Sequence, residues 1–205
     1  MKMEERMEKG YIWHNSKAYL KHQAEVRDLA YEFNNSKPTE KEKRDELLKK
    51  MFAYVGEGVF VAQPIMLANG ALTTIGDGTY INSNLTLVDD YRITIGKNCL
   101  FAPNVTITTT GHPIHPDLRG LGMVSFPVTI EDNVWVGTNA VIHPGVTIGE
   151  GSVIGSGSVV TKDIPPHVVA AGVPCRVIRQ ITDRDREYYY HDRRVDELPD
   201  EQEDM

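Results

Sequence analysis

The chain of 205 residues suits one domain, and its 40% hydrophobic and 25% charged content is ordinary for a soluble protein. Its net charge of −7 argues against nucleic acid as a partner, because phosphate binding requires a basic surface. The chain has no apolar run of transmembrane length, and its first residues, MKMEERMEKG, are too acidic and polar for a signal or anchor, so we expect a cytoplasmic protein without membrane association.

Residues 1–54 are predicted to be a helical segment. A capping box begins at Thr39 and predicts a helix to about Tyr54, and an earlier helix is expected from about Ser16 to Phe33. Helices at one end of a β-solenoid cover its exposed strand edges and prevent end-to-end stacking.

A six-residue repeat dominates residues 55–182. Aliphatic residues recur at every sixth position from Ile130 to Val160, and a second row lies four residues further on, at Val134, Ala140, Val146, Ser152, Ser158 and Ile164. The same period runs from Val55 to Ile107 in groups of three, with a step of eight between groups. Three short strands per coil predict a triangular parallel β-helix of five coils, about 24 Å tall. Glycines follow the aliphatic position where tight corners are expected, at Gly137, Gly149 and Gly155.

One interval interrupts the repeat. The step from Ile107 to Ile130 is far longer than six residues, so we expect a loop over 108–129 that leaves the solenoid wall near Gly111. Long loops on a rigid scaffold are where function concentrates, and this one contains His112 and His115.

The chain is predicted to end in a charged arm and acidic tail. Pro165 and Pro166 stop the last coil, and residues 183–205 are expected to be a surface helix or arm followed by a solvated acidic tip. Cys99 and Cys175 form no metal-binding or disulfide pattern, and we expect both to be buried thiols.

Several segments together resemble one enzyme family. These are NLTLVDDY, IGKNCLFAPNVTI, GHPIHPDLR and the long run from SFPVTI to VPCRVIR. They are similar to the bacterial galactoside and maltose O-acetyltransferases, which are hexapeptide-repeat enzymes, and the similarity extends over essentially the whole chain. The resemblance implies a left-handed β-helix, a homotrimer with active sites between subunits, and acetyl-CoA as the acetyl donor to a sugar hydroxyl.

His112 is the predicted general base. Acetyl transfer to an alcohol requires removal of a hydroxyl proton, and imidazole titrates near working pH. The resemblance also matches His112 to the family's catalytic histidine, whereas His115 is expected to support the loop. A backbone N–H near Gly137 and Thr138 is the candidate oxyanion donor.

The resemblance also implies acceptor contacts. Asn82 and Asp90 match family positions at the sugar, and we expect both beside His112. Met123 and Phe126 are candidates for an apolar lid supplied by a neighbouring subunit. Asn15 falls where galactoside enzymes carry a sugar-binding aspartate, and Ala68 falls where serine or aspartate is expected, so the grip on simple galactosides should be weak. Galactoside, maltose, glucose, a lipo-oligosaccharide and a drug hydroxyl all remain open as acceptors.

The donor site is indicated by a reversal of charge near the end of the repeat. Basic residues suit phosphate, and Lys162, Arg176 and Arg179 cluster there in an otherwise acidic chain. The resemblance matches these three, together with Thr138, Ser156 and Thr161, to contacts with CoA. Trp135 is expected to pack beside the pantetheine arm.

Two alternatives remain at this stage. A zinc hydro-lyase of the β-helical carbonic anhydrase type would use His112, His115 and His143, but these fall at unlike positions in the repeat. A non-catalytic solenoid scaffold would leave the long loop and the basic cluster without a purpose. The favoured mechanism is direct acetyl transfer in a ternary complex, without a metal.

Overall fold

The predicted parallel β-solenoid with N-terminal helices is confirmed by the computed structural model, which describes residues 1–198. The first face contains strands Tyr54–Val55, Thr73–Ile75, Ile93–Ile95, Val128–Ile130 and Thr147–Ile148. The second contains Phe60–Val61, Tyr80–Ile81, Leu100–Phe101, Trp135–Val136, Val153–Ile154 and Val168–Ala171. The third contains Ile65–Leu67, Leu85–Val88, Thr106–Thr108, Val141–Ile142 and Val159–Val160.

The solenoid has a sixth turn beyond the five coils expected. Ile164 forms a parallel bridge with Ile148, and strand Val168–Ala171 continues the second face. Strand Arg176–Gln180 then pairs antiparallel to Val168–Ala171 and closes this end. The six-residue positions line one continuous core, in which every predicted residue of both rows from Ile130 to Ile164 is buried.

Stacking of coils, rather than turn conformation, requires the predicted corner glycines. A Cβ on Gly137 would lie 2.7 Å from the Ile154 carbonyl oxygen of the next coil, and the backbone of Gly137 is not in the left-handed region. The left-handed turn positions are instead occupied by asparagines, including Asn84, Asn104 and Asn139, and by other glycines, including Gly58 and Gly145. The expected glycine role is therefore corrected to one of close backbone approach.

The N-terminal helices are α1 (Met3–Glu8), α2 (Lys17–Asn34) and α3 (Lys41–Met51). Ser16 caps α2 by accepting a hydrogen bond from the Tyr19 amide. The capping box predicted at Thr39 is wrong. The N-cap of α3 is Glu40, whose carboxylate turns back to accept from the Lys37 amide and so closes the preceding turn.

Helices α2 and α3 pack their buried residues against the first coil. Phe33, Leu47, Leu48 and Met51 belong to the same core cluster as the solenoid interior. Helix α3 ends at Met51, short of the predicted Tyr54, and the Ala53 amide already bonds to carbonyls of Gly70 and Thr73. The first coil is therefore covered at its open end.

The C-terminal arm lies outside the sixth turn. It contains helix Arg184–Glu187, the hairpin Tyr188–Tyr190 with Arg193–Arg194, and the 3-10 turn Val195–Glu197. Most of the predicted acidic tail, the run DELPDEQED, falls on residues 199–205, which lie outside the described residues. Among the helices of residues 1–198, none has both the length and the apolar character to cross a membrane.

Three rows of stacked corners run along the solenoid, and two of them carry the predicted site residues. We call the corners that join the second face to the third the Asn82 edge, and those that join the third face to the first the His112 edge. Each edge has one corner per coil, and successive corners are about 4.8 Å apart along the solenoid. A side chain's position along the chain therefore determines both its edge and its height.

A buried carboxylate secures the first two corners of the His112 edge. Asp89 is fully buried and accepts hydrogen bonds from the Ala68, Asn69 and Gly70 amides at 2.8, 2.9 and 2.7 Å, and from the Thr73 hydroxyl at 2.9 Å. Burial raises the pKa of the Asp89 carboxyl, and the amide hydrogen bonds oppose this rise.

We predict that Asp89→Ala lowers stability by about 3–5 kcal/mol, because four donors lose a buried acceptor. The matched control is Asp163→Ala, whose exposed carboxylate accepts, within residues 1–198, only from the Thr147 amide. Water can replace that acceptor, so its cost should stay below about 1 kcal/mol. Thermal unfolding followed by circular dichroism measures both, and equal losses would contradict this role of Asp89.

Candidate active site

The long loop leaves the His112 edge on a short hairpin stalk. Thr110–Gly111 pairs antiparallel with Val124–Ser125, and a 3-10 helix, Pro116–Leu121, forms the tip. The Phe126 amide bonds to the Thr109 carbonyl and closes the base of the stalk. Phe126 also packs against Gly145 on the next corner, so the loop root is fixed to the wall.

Among residues 1–198, His112 has a hydrogen-bond partner for one ring nitrogen and none for the other. Its Nδ1 lies 3.1 Å from the Gly122 carbonyl oxygen across the loop, and a carbonyl can only accept. Nδ1 must therefore carry the proton in this contact, and in the neutral ring the lone pair resides on Nε2. The side chain is exposed, so Nε2 is accessible as a proton acceptor.

His115 has a different role in the same loop. Its Nδ1 accepts a hydrogen bond from the Asp117 amide at 3.3 Å, which caps the 3-10 helix at the tip. The Arg119 guanidinium donates to the Ile114 carbonyl at 3.0 Å and closes the same turn. These contacts agree with the expected supporting role.

Asp90 lies on the His112 edge, one coil below the loop. Its Oδ1 accepts from the Tyr19 hydroxyl and, at 3.4 Å, from the Gln23 amide, both on α2. Burial, and then the Asp90 carboxylate, raise the pKa of the Tyr19 phenol above its usual value, so this hydroxyl stays protonated. Helix α2 therefore fixes one carboxylate oxygen of Asp90 and leaves the other without a partner among residues 1–198.

Within one chain, Asn82 lies on a different edge from His112, so its predicted place beside His112 would require a neighbouring subunit. It lies on the Asn82 edge, and strand Leu85–Val88 separates it from Asp90, a separation of about 15 Å. The reason is the repeat itself, since eight residues carry the chain from one corner to the next. Asn15 is exposed just before α2, and Ala68 shares the corner row of Asp90.

Met123 packs within its own chain, and its role as a lid for a neighbouring subunit stays a prediction. Its amide and carbonyl both pair with Trp13, and its side chain packs into a cluster formed by Met7, Trp13, Tyr19 and Tyr91. Phe126 remains exposed.

The expected donor contacts are divided between the same two edges. Thr138 and Ser156 lie on the Asn82 edge, beside Trp135 on the second face, whereas Thr161 and Lys162 lie on the His112 edge. Trp135 is 52% exposed. The Gly137 amide is excluded as an oxyanion donor because it bonds to the Ile154 carbonyl in the ladder. The Thr138 amide has no partner among the described residues and remains a candidate.

The basic residues differ in how free their charges are. Arg179 forms a two-point ion pair with Asp185, at 2.8 and 2.7 Å, which holds the pKa of Asp185 down to about 2. Arg176 donates to the Cys175 carbonyl at 2.7 Å. The Lys162 ammonium has no hydrogen bond or ion pair within residues 1–198. Of the three, Lys162 is therefore the freest to bind a phosphate.

Both cysteines are buried, as predicted, and burial raises the pKa of each thiol. Within residues 1–198 of one chain, no three His, Cys, Asp or Glu side chains cluster closely enough to hold a metal ion. His112, His115 and His143 thus do not converge in the single chain.

Sequence reasoning missed the contribution of the N-terminal segment. Trp13, Tyr19 and Gln23 contact the loop or Asp90, yet they lie more than 65 residues away in the chain. A helical period identifies the buried face of α2 but does not indicate which wall residues that face will meet.

Comparison with known proteins gives consistent matches. Residues 127–162 match the bacterial transferase hexapeptide family (six repeats), and residues 6–56 match the maltose acetyltransferase hexapeptide capping motif. The chain is 54% identical over 169 residues to the galactoside O-acetyltransferase of Escherichia coli K12, covering 82% of this chain and 83% of the relative.

Solved structures agree. A galactoside acetyltransferase in complex with coenzyme A superposes with a TM-score of 0.92 at 53% identity, covering 95% of this chain and 98% of the other. A hexapeptide-repeat acetyltransferase of Vibrio cholerae in complex with acetyl-coenzyme A gives 0.82 at 34% identity, covering 89% and 100%.

Proposed function

Because the chain belongs to the hexapeptide-repeat acetyltransferases related to galactoside O-acetyltransferase, we propose that it transfers acetyl from acetyl-CoA to a sugar hydroxyl, with His112 as general base. The observation that carries this proposal is the His112 imidazole, whose Nδ1 bonds to the Gly122 carbonyl and whose Nε2 has no partner in the described part of the chain. A neutral ring fixed in this tautomer is ready to accept a proton.

The reaction proceeds in a ternary complex. His112 Nε2 takes the hydroxyl proton of the acceptor while the oxygen attacks the thioester carbonyl carbon. The Thr138 amide would meet the negative charge that develops on the carbonyl oxygen. Collapse of the tetrahedral intermediate breaks the carbon–sulfur bond, and the imidazolium returns its proton to the CoA sulfur.

The vertical order of the site residues supports CoA as donor. Asn82 and Asp90 lie on the second coil, the His112 loop leaves the third, Thr138 lies on the fourth, and Ser156 and Lys162 lie on the fifth. Arg176 follows the sixth turn. From the second coil to the sixth the rise is about 19 Å, so an extended thioester can lie along the solenoid with its phosphates at the basic end.

The division between two edges supports a homotrimer with shared sites. The His112 edge offers Asp90, His112, Thr161 and Lys162, and the Asn82 edge offers Asn82, Thr138 and Ser156. The two edges lie about 15 Å apart in one chain, so neither presents a complete set. If the His112 edge of one subunit faces the Asn82 edge of the next, all of these residues converge. A closed ring of three pairs each His112 edge with the Asn82 edge of a neighbour.

The proposed acceptor is a galactoside, maltose or a glucose-like sugar. The free oxygen of Asp90 and the amide of Asn82 can both bind hydroxyl groups. Asn15 offers one acceptor where a carboxylate would offer two, and Ala68 offers none. The sugar would therefore be held mainly at the reacting hydroxyl, and a broad acceptor range with weak ground-state binding follows.

We predict that His112→Ala lowers kcat by about 10²–10⁴-fold and leaves CoA binding almost unchanged. Release of free thiol from acetyl-CoA measures turnover with isopropyl-thiogalactoside, maltose and glucose, and calorimetry measures CoA binding. His115→Ala is the control within the same loop and should lose far less. A His112→Ala enzyme with normal turnover would overturn the role of His112, and no turnover with any sugar would overturn the acceptor class.

We predict that Lys162→Ala weakens CoA more than dephospho-CoA if its free ammonium meets the 3′-phosphate, with the difference shrinking as salt is added. Arg179→Ala should show a smaller difference, because Asp185 occupies its guanidinium. Asp185→Asn releases that guanidinium and should tighten CoA if Arg179 also faces phosphate. Equal losses for both ligands in Lys162→Ala would place this charge elsewhere.

We predict that two inactive variants restore activity when they assemble together. In a mixed trimer of His112→Ala and Asn82→Ala subunits, a site keeps both residues when an Asn82→Ala subunit supplies His112 and a His112→Ala neighbour supplies Asn82. Random mixing should make about one quarter of the sites intact and give about one quarter of wild-type activity. Each variant alone stays inactive. The measurement is thiol release after joint refolding, and a mixture as inactive as its parts would contradict sites shared between edges.

A further inference from the structure

The N-terminal segment pairs with the loop that carries His112. The Trp13 amide donates to the Met123 carbonyl at 2.9 Å, and the Met123 amide donates to the Trp13 carbonyl at 2.9 Å. The indole is 0% exposed, and its Nε1–H donates to the Ser125 hydroxyl at 2.9 Å. Three hydrogen bonds thus join residue 13 to one arm of the loop.

This pairing acts on the residue that orients His112. Gly122, whose carbonyl accepts from His112 Nδ1, directly precedes Met123. Its φ of +122° favours glycine, and a Cβ there would lie 2.3 Å from the Trp13 carbonyl oxygen. The backbone of Gly122 lies so close to Trp13 that only glycine fits there. The pairing with Trp13 therefore determines the direction of the Gly122 carbonyl.

A chain of hydroxyl groups connects the same point to the wall. Ser125 Oγ lies 2.8 Å from Thr110 Oγ1, which lies 3.3 Å from Thr109 Oγ1, and the latter donates to the Val88 carbonyl at 2.9 Å. Thr109 Oγ1 also accepts from the Tyr91 amide. The indole N–H thus ends a network that begins next to Asp90.

We propose that Trp13 is a positioning residue for the reaction, which holds the Gly122 carbonyl where it fixes the tautomer and direction of the His112 ring. This inference rests on the proposed function of His112. The loop tip is exposed and has no packed core of its own, so the clasp formed by Trp13 and Met123 supplies the rigidity that the base requires.

The first test compares two glycines of the same loop. A Cβ at Gly120 meets nothing within 4 Å, whereas one at Gly122 collides with Trp13. We expect Gly122→Ala to lower kcat by about 30–100-fold with a nearly unchanged KM for acetyl-CoA, because a displaced base costs turnover rather than donor binding. Gly120→Ala should stay within about twofold of the wild type. Equal behaviour of the two variants would overturn the proposal.

A double-mutant cycle separates positioning from general damage. If Gly122 acts through His112, Gly122→Ala should change the residual kcat of His112→Ala by less than about twofold. A full additional loss in that background would show a structural effect and overturn the proposal.

Tryptic cleavage after Arg119 gives a readout that does not depend on catalysis. Arg119 lies on the loop tip, and opening the clasp should raise the rate of this cut, identified by fragment mass, by about fivefold or more in Gly122→Ala but not in Gly120→Ala. If His112→Ala proves fully active, the proposed base fails, yet this comparison still shows whether the clasp holds the loop. An unchanged cleavage rate would contradict the clasp itself.

Substitution of Trp13 gives a second route if Gly122→Ala does not fold. Trp13→Ala empties a buried site beside Met7 and Tyr91 and should reproduce both the lower kcat and the faster cleavage. Trp13→Phe keeps an aromatic ring there, loses the bond to Ser125 and leaves a smaller cavity than Trp13→Ala, so it should recover most of both effects, within about fivefold of the wild type. A Trp13→Ala enzyme with normal kcat and cleavage would overturn the proposal.

Discussion

The in-register pairing of each strand with the coil above and below is the constraint on which the molecule depends. Thr129, for example, pairs with Thr94 on one side and with Thr147 on the other, and the same register holds on all three faces. Because every coil repeats the same corners, a residue's place in the period decides whether it faces the core, a face or an edge. The proposed chemistry therefore follows from a periodic scaffold with one interruption.

This constraint explains why the fold was predictable from the sequence. The period of six identified the core positions from Ile130 to Val160, and the single long interval located the loop that bears His112. The repeat also implied that Asn82 and Asp90 lie at different corners. Assigning each residue to the Asn82 edge or the His112 edge, however, required the strand boundaries. The roles of Gly137 and Asn139 were not apparent, because close stacking and left-handed turns both favour small or turn-forming residues.

What the sequence could not show are contacts between distant segments. The pairing of Trp13 with Met123 produces no periodic pattern in the sequence, because it joins one residue from each of two irregular stretches. Arg179 and Asp185, which form an ion pair, are close together in the sequence. Their spacing alone nevertheless did not distinguish a paired guanidinium from one that is free to bind phosphate. Side-chain chemistry identified the candidates, and tertiary packing decides which of their atoms remain available.

The pairing of residue 13 with residue 123 has a consequence for the order in which the protein assembles. Neighbouring coils meet across about twenty residues, so the solenoid can grow by successive local contacts, whereas Trp13 must close a loop of about 110 residues. By loop-closure entropy this contact costs about 1.5 kcal/mol more than a contact between adjacent coils. The stretch that contains Trp13 leaves the ribosome before the coils, yet it can pair with Met123 only after the third coil and its loop exist. The proposed catalytic site is therefore completed late in folding, after the coils of the solenoid that support it.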